Sequence, residues 1–297
     1  MILAALTPQV ADFVDTVVWF LSGAALAWLL VRFLRRRQTA PYFLHGEYWV
    51  YLPGDEMPPQ EAIMDRMLRA NPHRSGGKMP IGKDEALIFS DVRLHIALVR
   101  RTRNAHVFRP DLFEDHVEPT PDRLAALADS QSFAKVRYIS EERVKDARHL
   151  RFLPHAADAI AALGHGAAVY DEVAEKLFTA EEFTAELDRY EDAADPDFQT
   201  QVVWKRSHAG GFAETRGLAK VGHPELATEE MNADQRVLVT AILEEVVRQL
   251  WLEPTLPAEV DVSYYEDPYR VLIHPKRKGP AQVGLMRLPV MSDTTTS

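Results

Sequence analysis

The side chains best suited to acid–base or metal chemistry are histidines, and His149, His155, His165, His208, His223 and His274 all fall in the second half of the chain. A zinc or iron centre needs them in fixed patterns, such as HExxH on one helix face or two histidines with a carboxylate, and neither spacing occurs. His165 stands between glycines in GHG, where the chain enters a strand or leaves a helix. Arg216 joins the histidines as a candidate member of an unfamiliar site. Ser75-Gly76-Gly77-Lys78-Met79 has the composition of a phosphate loop, but Pro72 replaces the required earlier glycine and Met79 the Ser or Thr. No GxSxG elbow, kinase loop or dinucleotide fingerprint is present. The carboxylate pairs Glu141-Glu142, Glu181-Glu182 and Glu244-Glu245 read as helix starts or solvated helix faces. The chain has no cysteine, which excludes disulfides, thiolate metal sites, iron–sulfur clusters and a thiol nucleophile. No cofactor and no metal are expected, and no residue set identifies an enzyme.

Charge narrows the partners. The net charge is −10 over 297 residues, which argues against nucleic acid, because phosphate binding needs a basic surface. Basic residues nevertheless cluster at Arg35, Arg36 and Arg37, at Arg100, Arg101 and Arg103, and at Lys276, Arg277 and Lys278. Such clusters suit anionic lipid headgroups at about 1 kcal/mol per residue, or simply solvated strand ends.

The elements that must position these groups begin with an apolar stretch. Residues 16–31 read TVVWFLSGAALAWLLV, and the helical pattern extends over 13–34. Twenty-two residues at about 1.5 Å each span roughly the hydrocarbon core of a bilayer. Asp12 and Asp15 precede the stretch and four arginines follow it, so a single-pass helix with the N-terminus outside and a cytoplasmic C-terminal domain is expected at the inner membrane. A cleaved signal peptide fits less well, because residues 1–12 hold no Lys or Arg. Gly23 and Ala27 have the small-xxx-small spacing of packed membrane helices.

Beyond a basic tether at 35–41, the expected organisation is an α+β domain in two lobes, 42–120 and 121–291, with a polar tail at 292–297. Pro119 and Pro121 mark the boundary between the lobes. GEYWVYLPGD at 46–55 predicts a strand and turn, the segment after Pro59 a short helix, and the alternation from Val92 to Leu98 another strand. FAKVRYIS at 133–140 is read as a strand. A helix follows over 153–166, with Pro154 in its first turn and Gly164 at its end, and then a strand at 167–172. Thr179 and Glu182 form a capping box for a helix carrying Phe183, Leu187 and Tyr190. A hairpin around 208–211, a long helix capped by Asn232 with Glu244 opposite Arg248, and two last strands complete the pattern. A mixed or antiparallel sheet with helices mainly on one face, in a ferredoxin-like split, accommodates that order.

LPHAADAIAALGHGAAVYDE, FTAEEF and ETRGLAKVGHPEL, over about residues 130–265, resemble a bacterial domain family of unknown function in which an Ala-rich helix leads into a VYD strand. These motifs are structural, so the resemblance implies a fold and no activity.

The function expected from the sequence is a non-catalytic accessory subunit. Its helix would pack beside other membrane-protein subunits, in a host such as a photosynthetic or respiratory complex, and its domain would brace them. Two alternatives remain open: a tethered enzyme, favoured by a deep pocket joining three or more of the histidines and Arg216, and a tethered ligand sensor, favoured by an apolar cleft without acid–base groups.

Overall fold

The computed structural model describes residues 43–68, 81–108, 120–144, 146–208, 210–276 and 278–289. The described residues belong to one compact unit. Its elements alternate in chain order as β1 (Leu44–Leu52), α1 (Gln60–Leu68), α2 (Lys83–Ala86), β2 (Leu94–Arg100), α3 (Pro121–Asp129), β3 (Ser132–Ser140), α4 (Arg148–Leu163), β4 (Ala168–Asp171) and β5 (Lys176–Thr179). Then come α5 (Ala180–Arg189), α6 (Pro196–Gln199), β6 (Gln201–Arg206), β7 (Gly211–Arg216), β8 (Leu226–Thr228), α7 (Arg236–Leu250), β9 (Glu259–Tyr264), β10 (Asp267–His274) and β11 (Ala281–Arg287).

The strands form two sheets, a five-stranded one in the order β2-β3-β1-β4-β5 and a six-stranded one in the order β6-β7-β8-β11-β10-β9. Every neighbouring pair of the first sheet is antiparallel, so it is not a ferredoxin-like split, whose centre needs a parallel pair. The second sheet is antiparallel except where β8 runs parallel to β11. β1 pairs with both β3 and β4, so the division expected near 118–122 passes between strands of one sheet.

β1 alternates its two sets of side chains between two environments. Leu44, Tyr48, Val50 and Leu52 pack under α4, whose Phe152, Leu153, Ala156, Ala157 and Ile160 are buried with them. The small alanines let the helix sit close to the sheet, and each large side chain buried there contributes about 1.5–3 kcal/mol. On the other face, Tyr51 lies with Phe108, Phe133, Tyr170 and Leu127 of α3 in a second, aromatic cluster. In the six-stranded sheet, Ala213, Val262, Val271, Ile273 and Val283 pack with Val239, Ile242, Leu243 and Val246 of α7.

Several expectations need correction. Among the described residues no helix is long and apolar enough to cross a membrane. The longest described helix, α4, has 16 residues, about 24 Å, and it carries Arg148, Arg151 and Asp158. The segment 13–34 itself, with Gly23 and Ala27, lies outside the described residues. The single-pass topology, the inner-membrane placement and the fold class that included a membrane helix therefore lose their support. What stands is a mixed α/β, sheet-rich fold with seven α-helices among the described residues.

Pro154 is inside α4 rather than in its first turn, because the helix begins at Arg148. The capping box forms as expected: Thr179 accepts from the Glu182 amide and Glu182 from the Thr179 amide. Asn232 precedes a single 3-10 turn without a side-chain cap, and Arg248 pairs with Glu245 and Asp197. Short β5, β8 and the last strand β11 add to the expected order.

Candidate functional site

Between β7 and β8, Gly217 and Gly222 adopt φ angles of 110° and 82°, and they bracket a 3-10 turn at Leu218–Val221. Left-handed backbone at both ends is cheap only for glycine. The turn aims the Lys220 side chain into the molecule, where it is 1 % exposed. Its Nζ donates to Asp171 Oδ2 at 2.5 Å, to the Gln199 carbonyl at 2.8 Å and to Gln199 Oε1 at 2.8 Å. Those three acceptors match the three N–H bonds of an ammonium. The second Asp171 oxygen accepts from the Ala174 amide, and the Tyr48 hydroxyl donates to Gln199 Oε1.

The Gln199 amide is held in turn by the Leu150 and Ala193 carbonyls at 2.8 and 2.6 Å. Leu150 has a carbonyl to spare because Pro154, four residues on, has no N–H to offer it. Burial lowers the Lys220 pKa and the Asp171 charge opposes that shift. This cluster ties β1, β4, α4 and α6 to the β7–β8 turn. Every donor and acceptor in it is used, so it is a structural lock.

The backbone of the same turn looks the other way. The Lys220 carbonyl accepts from His149 Nε2 at 2.9 Å, and a carbonyl can only accept, so the ring carries its proton on Nε2. His149 is 2 % exposed and stacks on Tyr138 with centroids 5.0 Å apart. Its Nδ1 has no hydrogen-bond partner among the described residues. Burial pushes the His149 pKa down to about 4, which keeps the ring neutral near pH 7.

His149 forms part of the wall of a groove of about 290 Å³. Phe43 and Leu44 enter it from the start of β1, Val144 and Ala147 from the approach to α4, Val221 from the glycine-bracketed turn, and Leu252 and Pro254 from the loop after α7. Arg143, Asp146 and Glu253 supply its charges. Asp146 is held by Arg148 at 2.8 Å. Arg143 lies over the Phe43 ring, and neither it nor Glu253 has an ion pair with a described residue. Leu252 has φ 69° and is 57 % exposed, an unusual backbone and an unusual exposure for a large apolar residue.

Of the other expected histidines, only His223 comes near this groove. It is buried, with Nε2 3.1 Å from the Glu253 carbonyl, and burial, with the Arg143 charge, holds its pKa below the usual value. His155 is buried within α4, while His165, His208 and His274 are exposed at separate places. Arg216 sits elsewhere, between Glu175 at 2.8 Å and Glu214 at 2.5 Å. The structure therefore does not join three of these groups in one pocket.

A second polar cluster lies on the face of the first sheet that also carries Tyr51. His45, Glu47 and Glu172 hold their ligand atoms within 4.8 Å of one another, a donor set suited in kind to a divalent cation. Glu47, however, accepts from Trp49 Nε1 at 2.5 Å and faces Lys135 at 3.5 Å and Arg137 at 3.7 Å. Burial pushes its pKa up, but His45, Trp49 and Lys135 outweigh that and hold it below the carboxylate range. The residue's charge is already balanced by side chains, so the cluster does not fit a metal. Burial and the adjacent Glu47 raise the Glu172 pKa instead.

The basic clusters stay apart in their uses. Arg100 approaches Asp55 at 3.6 Å, and Arg101 donates to the Ala128 and Ser130 carbonyls at the end of α3. Arg103 ends a short 3-10 turn after β2, and Lys276 donates to Gln282 across the β10–β11 turn, next to Lys278. Arg35, Arg36, Arg37 and Arg277 lie outside the described residues. Comparison with protein-family models, with curated protein sequences and with solved structures returned no match.

Proposed function

We propose that this protein is a non-catalytic ligand-binding module and that the groove beside the β7–β8 turn is where it binds a small amphipathic molecule. The observation that carries this reading is the make-up of the groove: apolar walls with a neutral, buried His149 whose Nδ1 acceptor is unused. An apolar cavity with a few convergent polar groups is the usual form of a small-molecule site. The unmatched acceptor and the left-handed Leu252 both carry a cost, and such costs gather at sites where a ligand or a partner uses them. Chemistry is disfavoured because the histidines and Arg216 are dispersed and Arg216 is neutralised by two carboxylates. The accessory-subunit expectation drew on the N-terminal membrane helix and is not carried forward.

The test is a titration of the 15N-labelled chain with isopentanol, an apolar probe with one donor, followed by amide shifts. Saturable shifts at Leu44, Ala147, His149 and Val221, lost in Val144→Trp, are the expected result. Absent or non-saturating shifts at those residues sink the reading.

A further inference from the structure

We infer that the ligand of this groove is a small apolar zwitterion, with the chemistry of a free apolar amino acid; the inference rests on the groove being a binding site. Two opposite charges, Arg143 and Glu253, belong to one groove. They do not neutralise each other, because no ion pair joins them and neither pairs with another described residue. Both act on the buried His223, Arg143 lowering and Glu253 raising its proton affinity. The third charge, Asp146, is already taken by Arg148.

A ligand carrying only a carboxylate would meet Arg143 but be repelled by Glu253. One carrying only an amine would face the reverse. A molecule with both groups satisfies both side chains, and guanidinium–carboxylate pairs are strong and geometrically specific. Its apolar remainder is matched by Phe43, Leu44, Val144 and Leu252. Arg143 is also pre-positioned, since its guanidinium rests 5.6 Å from the centre of the Phe43 ring, and Phe43 in turn abuts Gly222 so closely that an added Cβ there would stand 2.5 Å from the ring. A side chain already held over a ring loses less freedom when it engages a ligand.

The experiment is calorimetric titration of the full chain with four probes: L-leucine, 4-methylpentanoic acid, isopentylamine and isopentanol. L-leucine is expected to bind at least about tenfold more tightly than any of the others, because each of them lacks one or both of the charged hydrogen bonds. Arg143→Gln should reduce L-leucine to the level of the amine, and Glu253→Gln to that of the acid. Both residues are exposed, so neither change threatens folding. Equal binding of isopentanol and L-leucine, or L-leucine affinity unchanged in both variants, overturns the zwitterion while leaving the groove as a site. Failure of all four probes overturns the groove itself.

Discussion

The two sides of the Leu218–Val221 turn make a controlled comparison, because one short segment serves both. Its Lys220 side chain enters a sealed cluster in which every polar atom is matched, while its backbone helps build a groove whose walls carry two charges without an ion pair and a histidine whose buried Nδ1 has no partner. Residue type does not separate them: a buried lysine with an aspartate looks at least as catalytic as a neutral histidine. What separates them is saturation. A fully bonded buried ion pair has nothing left to give a ligand and acts through stability or specificity.

The comparison breaks most decisively at Lys220. Lys220→Met leaves Asp171 buried without its counter-charge, and a loss of about 3–5 kcal/mol is expected from urea unfolding. Adding Asp171→Asn should restore part of it. If the single change costs less than about 1 kcal/mol, with the slope of the transition unchanged, the cluster is not a lock.

Next in size is the pH dependence set by His149. Its pKa is about 4 in the folded chain and near 6.5 when unfolded. Between those values the unfolded state binds the extra proton. The contribution is therefore complete above pH about 6.5 and is lost as pH falls toward 4, by roughly 3 kcal/mol at most. Comparing wild type with His149→Phe isolates this term, and the variant should lose stability less steeply over that window. Parallel profiles would show that His149 is not held neutral.

Leu252 tests the strained wall of the groove. Leu252→Gly removes a left-handed leucine at φ 69°, which should raise stability by about 1 kcal/mol after the entropy cost of glycine. The same change removes an apolar wall, so the isopentanol affinity should fall. A rise in Tm with unchanged affinity would detach Leu252 from binding.

Much of the fold was legible because local signals and tertiary structure agree. The period-two run of β2, the glycine-closed hairpin of β6 and β7 and the Thr179 capping box each carry their own geometry. Pro154 misled because its normal place is a first turn. Here its missing N–H is exploited by Gln199, a partner 45 residues on whose position no local pattern reveals. Lys220 was hidden in ETRGLAKVGHPEL for the same reason. A lysine enclosed by glycines and apolar residues is a visible oddity, but its acceptors come from β4 and α6. The groove draws on four separate segments and leaves no sequence signature at all.

The smallest expected effect calibrates the rest. In Thr179→Ala the Glu182 amide loses the Thr179 hydroxyl, while Glu182 still accepts from the residue 179 amide and still pairs with Arg123 at 3.0 Å. Only half of the capping box is removed, so about 1 kcal/mol or less should be lost in urea unfolding. Thr179 touches neither the lock nor the groove, so the change should leave both the probe affinities and the shape of the pH profile as they are. If it weakened binding as much as Arg143→Gln, the groove variants would be reporting general loosening of the fold rather than contact with a ligand.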